Sequence, residues 1–89
     1  IAFLDLGQVT PGHTLVVPKK HVKDIFEYDE ELAAAVFSRI PKIARALKAM
    51  NPEVKGVNIL NNNGEVAFQS VFHSHIHLIP RYKHEEGFD

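Results

Sequence analysis

Cysteine and tryptophan are absent from this 89-residue sequence, and methionine occurs once. The lack of cysteine excludes a disulfide framework and any thiolate zinc ligand within this stretch. No apolar run approaches the roughly 20 residues that a membrane-spanning helix needs, and no signal peptide precedes the first apolar segment. A cytoplasmic location with no membrane partner is the expectation. Ten basic and eleven acidic residues nearly cancel, for a net charge of −1, and no basic run interleaved with aromatics is present. That balance argues against a nucleic-acid groove, so any phosphate handled here should belong to a small molecule. The sequence also lacks an initiator methionine: Ile1-Ala2-Phe3-Leu4-Asp5 reads as a strand already under way, so an upstream piece is expected to be missing. What remains is one small domain, 1–89, of a size whose core gains from a partner chain.

Histidine is what the sequence has in plenty. His73, Ser74, His75, Ile76 and His77 place three imidazoles at a spacing of two, followed at once by Leu78-Ile79-Pro80. On a strand such residues line one side, about 6 to 7 Å apart, while Ser74, Ile76 and Leu78 face the other. Imidazole serves as nucleophile, proton carrier or metal ligand near neutral pH. An expression tag would be an unbroken terminal run, which this is not. Two histidines at i and i+2 can share a zinc ion, so metal binding by His73, His75 and His77 stays open on chemistry alone.

The rest of the chain supplies a scaffold. The spacing predicts a strand over residues 1–5, a turn around Thr10-Pro11-Gly12 and a second strand over 14–18 ended by Pro18. Lys19-Lys20-His21 reads as a solvated exit. Asp29 is a good N-cap, with Glu30 and Glu31 placed to complement the helix dipole. Beyond it, Leu32, Val36, Phe37, Ile40, Ile43, Leu47 and Met50 form the apolar stripe of an amphipathic helix that Pro41 should kink or divide, ending near Asn51-Pro52. Residues 56–60 read as a third strand, Asn61-Asn62-Asn63-Gly64 as a hairpin-type turn, and 71–79 as a fourth strand stopping at Pro80. The order β-β-α-β-β specifies an α+β domain: an antiparallel sheet with one long amphipathic helix packed on one face, the histidines facing away from it.

These residues resemble a known family. HSHIHLI (residues 73–79) is similar to the signature His-φ-His-φ-His-φ-φ, φ being apolar, of the histidine triad (HIT) superfamily, with Ser74 at the first φ. FLDLGQVTPGHTLVVPKKH (3–21) resembles that family's strand-turn-strand opening, and NNGEVAFQSVFHSHIHLIPR (62–81) its active-site hairpin, so the likeness covers nearly the whole chain and points to Hint-like or bacterial HIT branches. One departure stands out: Phe68 occupies the place of the usual loop glycine in Ala-Gly-Gln, where it could alter the loop or crowd a ligand.

The resemblance implies a nucleotide hydrolase or transferase in which His75 attacks an α-phosphorus to give a nucleotidyl-histidine, with no metal required. His77 would contact the phosphate and assist the leaving group; His73 would link to His13 and hold the nucleophile in place. Gln69, Ser70 and Asn62 would bind phosphate oxygens, Asp5 the ribose hydroxyls, and Leu6 and Phe3 would flank the base. His84 reads as solvated. A structural zinc is implied only if the missing segment carries cysteines, with His21 a spare ligand at best. The partners implied are a purine nucleotide such as AMP, GMP or an adenylated conjugate, and a second copy in a homodimer. Gln69-Ser70 is closer to the phosphoramidase branch, whereas IPRYK (79–83) is similar to the dinucleoside polyphosphate branch. A binding module with little turnover, favoured by Phe68, and a metal-dependent hydrolase are the other readings.

Overall fold

The computed structural model describes residues 2–5 and 7–82. Leu6 and His84, both singled out above, lie outside the described residues. A four-stranded antiparallel sheet runs in the order β1-β2-β4-β3, built from β1 (Ala2–Leu4), β2 (Thr14–Val16), β3 (Gly56–Leu60) and β4 (Ile76–Arg81). Between β2 and β3 the chain forms two helices, α1 (Glu30–Phe37) and α2 (Ile40–Met50). None of the helices is long and apolar enough to cross a membrane, among the described residues.

Local chemistry accounts for the helices. The Asp29 carboxylate accepts from the Leu32 amide at 2.8 Å and closes the first turn of α1. Pro41 divides the long apolar stripe as its chemistry requires, because it lacks the amide a continuous helix would use, and it sits in the first turn of α2 where that donor is not needed. Val36, Ile40 and Leu47 from the helices meet Val16, Ile76 and Leu78 from the sheet in one buried cluster, with Leu32 and Ile43 packed against it. The stripe ends earlier than its spacing suggests, at Leu47, since Met50 is largely exposed.

Two expectations about the last strand need correction. β4 begins at Ile76 rather than at residue 71, so His73 and His75 precede the hydrogen-bonded ladder, although the alternation of half-buried histidine with buried Ser74, Ile76 and Leu78 is already established there. The strand also continues through Pro80, which pairs with Val57 of β3. A residue's amide and carbonyl leave a strand on the same side, and the Pro80 carbonyl accepts from Thr10 Oγ1 where the three-residue β2 has already ended. The missing N–H therefore falls where no partner strand asks for a donor. The Asn63-Gly64 pair makes no tight hairpin either. Residues 61–75 form a long loop containing a short 3₁₀ turn (Glu65–Ala67), because Asn61 and Asn63 spend their side chains on other groups of the site.

Leu78 is fully buried at the centre of the cluster, so Leu78→Ala should lower unfolding free energy by about 2–5 kcal/mol in urea titration, and Asp29→Ala by about 1 kcal/mol through loss of the cap.

Candidate active site

The site is assembled from the solvent face of β4, the turn before β2 and the loop before β4. Gly12, at φ 89°, makes the reversal that brings His13 under the sheet; a Cβ there would sit 3.4 Å from the Pro80 ring. His13 is only 3 % exposed, and its Nε2 lies 2.8 Å from Nδ1 of His77. Asp5 completes this group, its Oδ2 3.4 Å from His13 Nε2 and 3.9 Å from His77 Nδ1, while its Oδ1 accepts from the Gly7 amide. The rings of His75 and His77 are 5.0 Å apart and steeply inclined.

Hydrogen-bond partners assign the proton on each neutral ring. The Val9 amide can only donate, at 3.1 Å, so His13 Nδ1 accepts and the proton of that ring sits on Nε2. His13 Nε2–H then donates to His77 Nδ1, which puts the His77 proton on Nε2. His75 Nδ1 is 2.9 Å from the His73 carbonyl and must donate to it, leaving Nε2 as a lone pair. His75 thus offers a nucleophile beside an N–H donor on His77.

Burial is the first cause lowering the pKa of both His13 and His77 below the ordinary 6.5. For His77 the neighbouring His75 and His13 push in the same direction, Arg81 does so for His13, and Asp5 opposes the shift in each case. These rings are therefore held neutral. When both carry protons, the Asp5 carboxylate stands where it can accept from the pair.

His73 is held differently from the expectation. Its ring does not meet His13; its Nε2 donates to the Pro18 carbonyl at 3.1 Å, and its Nδ1 lies 3.2 Å from Nδ1 of His21. His13 orients His77 instead, and His73 positions His75 through its backbone carbonyl. The cause is the late start of β4, which turns His73 toward the chain leaving β2. Gln69 is a second correction. Its side chain is 2 % exposed and fully engaged, accepting from the Gly64 amide and donating to the carbonyls of Lys23 and Val71, so it clamps the loop and has no capacity left for a phosphate. Ser70 is exposed and Asn62 half-buried on the same loop. Phe3, half exposed on β1, pairs with Leu15, which pairs with His77.

Sequence reasoning missed three contributors. Asn61 Nδ2 donates to the His75 carbonyl at 2.8 Å, Asn63 Nδ2 donates to Asn61, and Asn63 Oδ1 accepts from the Ile25 amide. The run of three asparagines was the available sign, since an amide both donates and accepts. The Val9 amide left no sign, because a backbone group has no letter of its own.

Two donor sets bear on metals. Asp5, His13 and His77 bring one carboxylate oxygen and two ring nitrogens within 4.8 Å of one another. They do not fit an ion, because the Val9 amide already occupies His13 Nδ1 and forces the proton onto the nitrogen that would have to ligate. His21 and His73 fit better. Their Nδ1 atoms are separated by about the distance between two ligands of a tetrahedral zinc with Zn–N of about 2.0–2.1 Å, and the Pro18 carbonyl fixes the His73 tautomer from behind.

Acidification should expose the buried rings. Above about pH 6.5 they are neutral in folded and unfolded chains alike; below it the unfolded rings take up protons first, and stability falls as pH drops through the lowered folded values. The midpoint of thermal unfolding, followed from pH 7.5 to 5, should decline, and His13→Asn should make that decline shallower.

Known proteins resemble this chain along nearly its whole length. A model of the HIT domain matches residues 1–84. The Bacillus subtilis protein "hit" is 54% identical over 88 residues, covering 99% of this chain and 60% of its own length. Adenosine 5'-monophosphoramidase hnt1 of Schizosaccharomyces pombe is 39% identical over 87 residues, covering 98% of this chain and 62% of its own. The crystal structure of a HIT family protein from Bacillus anthracis superposes with a TM-score of 0.92 at 58% identity, over 99% of this chain and 62% of that one. The chain thus spans about three fifths of the length of these relatives. With its motif, its sheet and its relatives in agreement, the chain belongs to the HIT family.

Proposed function

We propose that this chain carries nucleotidyl transfer to water, acting at the α-phosphate of a purine nucleoside phosphoramidate or another adenylated small molecule. The observation that supports it most is the pair of tautomers, a lone pair on His75 Nε2 next to a proton on His77 Nε2. In the first step the His75 lone pair forms a bond to phosphorus and the bond to the leaving nitrogen breaks. The departing amine takes a proton from His77, whose ring has gained one with the substrate and whose charge Asp5 offsets. Water then attacks phosphorus as the bond from phosphorus to His75 Nε2 breaks; the water proton passes to His77, replacing the one it gave up, and AMP leaves with His75 neutral again. Dividing one displacement into two is the gain of covalent catalysis. In this reading Asn62 and Ser70 meet phosphate oxygens, and Asp5, Phe3 and Leu6 contact the nucleoside.

The phosphoramidate is preferred over a dinucleoside polyphosphate because hnt1 of fission yeast bears the name of a monophosphoramidase. A binding module with little turnover is the second reading, resting on Phe68. That residue holds a left-handed backbone conformation, the region glycine favours. In either reading a homodimer forms, with β3, one of the two edge strands of the sheet, open to a partner. Zinc, where present, takes His21 and His73 together with donors from outside the described residues, and it contributes to folding rather than to the reaction.

Incubation with adenosine 5′-phosphoramidate and with diadenosine polyphosphate, chelator present, should release AMP and leave adenylate on the His75 peptide in a rapid quench. His75→Ala should reduce turnover by at least about a thousandfold, a loss expected when a covalent nucleophile is removed. Binding of AMP with no turnover of either compound would support the module, and activity restored only by zinc would overturn the nucleophile assignment.

A further inference from the structure

Phe68 is the only non-glycine residue with a positive φ among the described residues, at φ 70° and ψ 21°. A side chain in that region is sterically strained, and residues so held cluster where a ligand is gripped. Packing does not offset the strain, because Phe68 is 85 % exposed. Nor is the loop slack. Gln69, the next residue, is buried and tied to Gly64, Lys23 and Val71, so the clamp fixes the backbone on which Phe68 stands.

Other apolar side chains surround it in sequence. Val66 is 97 % exposed, and Val71 and Phe72 are exposed on the same loop, with the Lys23 ammonium 5.5 Å from the centre of the Phe72 ring. Phe26, 83 % exposed, lies on a segment stitched to this loop by the Ile25 amide on Asn63 and by Gln69 on the Lys23 carbonyl. Exposed apolar side chains carried on one clamped loop and on the segment tied to it offer a candidate contact surface.

The sheet indicates which part of a ligand would reach it. Phe3, Leu15, His77 and Leu60 are successive partners across β1, β2, β4 and β3, so they share one face. With strands about 4.8 Å apart, Phe3 and His77 are separated by about 10 Å. A nucleoside over β1 and β2 would thus bring its phosphate to the histidines. On the side of His77 away from β2 stands Leu60, the last residue of β3, after which the chain enters the loop, 61–75, that bears Phe68.

We propose that Phe68, held in the left-handed position of the loop that Gln69 clamps, contacts the leaving group and selects substrates in which that group is flat and apolar. The inference rests on the nucleotidyl-transfer reading above and adds the specificity of the departing half.

The test compares adenosine 5′-phosphoramidate, which releases ammonia, with the corresponding N-benzyl phosphoramidate, which releases benzylamine. Phe68→Gly relieves the strained backbone and is expected to fold. It should lower the ratio of kcat/KM for the benzyl compound to that for the parent by about fivefold, the size of one aromatic contact, whereas Phe68→Trp should retain the ratio. A ratio unmoved by Phe68→Gly would overturn the proposal. The same two compounds bound to His75→Ala, by calorimetry with and without Phe68→Gly, give a Kd ratio that needs no turnover. Should the wild-type chain release AMP from neither compound, the nucleotidyl-transfer reading is lost and the Kd ratio alone decides on Phe68: a drop supports the contact, no change removes it.

Discussion

The two-residue period of an extended chain is the constraint on which everything here depends. Along residues 74–78 one set of side chains, Ser74, Ile76 and Leu78, is buried toward the helices, and the alternate set, His75 and His77, is turned to the reactive face. The core cannot be repacked by a register change without emptying the site, because a slip by one residue exchanges the two faces. β4, which carries His77, is also central in the sheet and paired on both sides, and His75 stands immediately before it.

Around that strand the polar groups are arranged to set protons rather than to hold charge. Burial favours neutral imidazole at His13 and His77, and each of His13, His75 and His73 has one ring nitrogen committed to a backbone amide or carbonyl. The other nitrogen of each ring then has a defined role. Asp5 enters as a reserve, a carboxylate near two ring nitrogens that repel one another whenever both carry hydrogen. Asn61 holds the backbone of His75 with its side-chain amide and Asn63 in turn holds Asn61, which is why the loop before β4 can be long and still present the ring in one place.

Much of this was legible in the amino-acid sequence, and the reasons for the rest are physical. The element order, the Asp29 cap, the division at Pro41 and the exposed histidine face follow from local rules of period, capping and missing amides. The strand limits did not follow, because whether Pro80 can sit in a central strand depends on how short β2 is, a tertiary fact. His73 pairs with His21 rather than with His13, and Gln69 clamps a loop rather than a phosphate, because both outcomes are decided by backbone carbonyls that a string of side chains does not display. For these two residues the resemblance implied partners that the hydrogen bonds do not show.

One feature of the ring network bears on how such a chain can change over time. The proton addresses of His13, His73 and His75 are written by main-chain groups of residues 9, 18 and 73, which every amino acid carries alike. Replacing the side chains of Val9 or Pro18 need not rewrite them. Inserting or deleting a single residue between 9 and 13, or between 73 and 75, moves the amide or carbonyl away from its ring and lets the imidazole flip. The site is therefore tolerant of drift in letters and intolerant of drift in length.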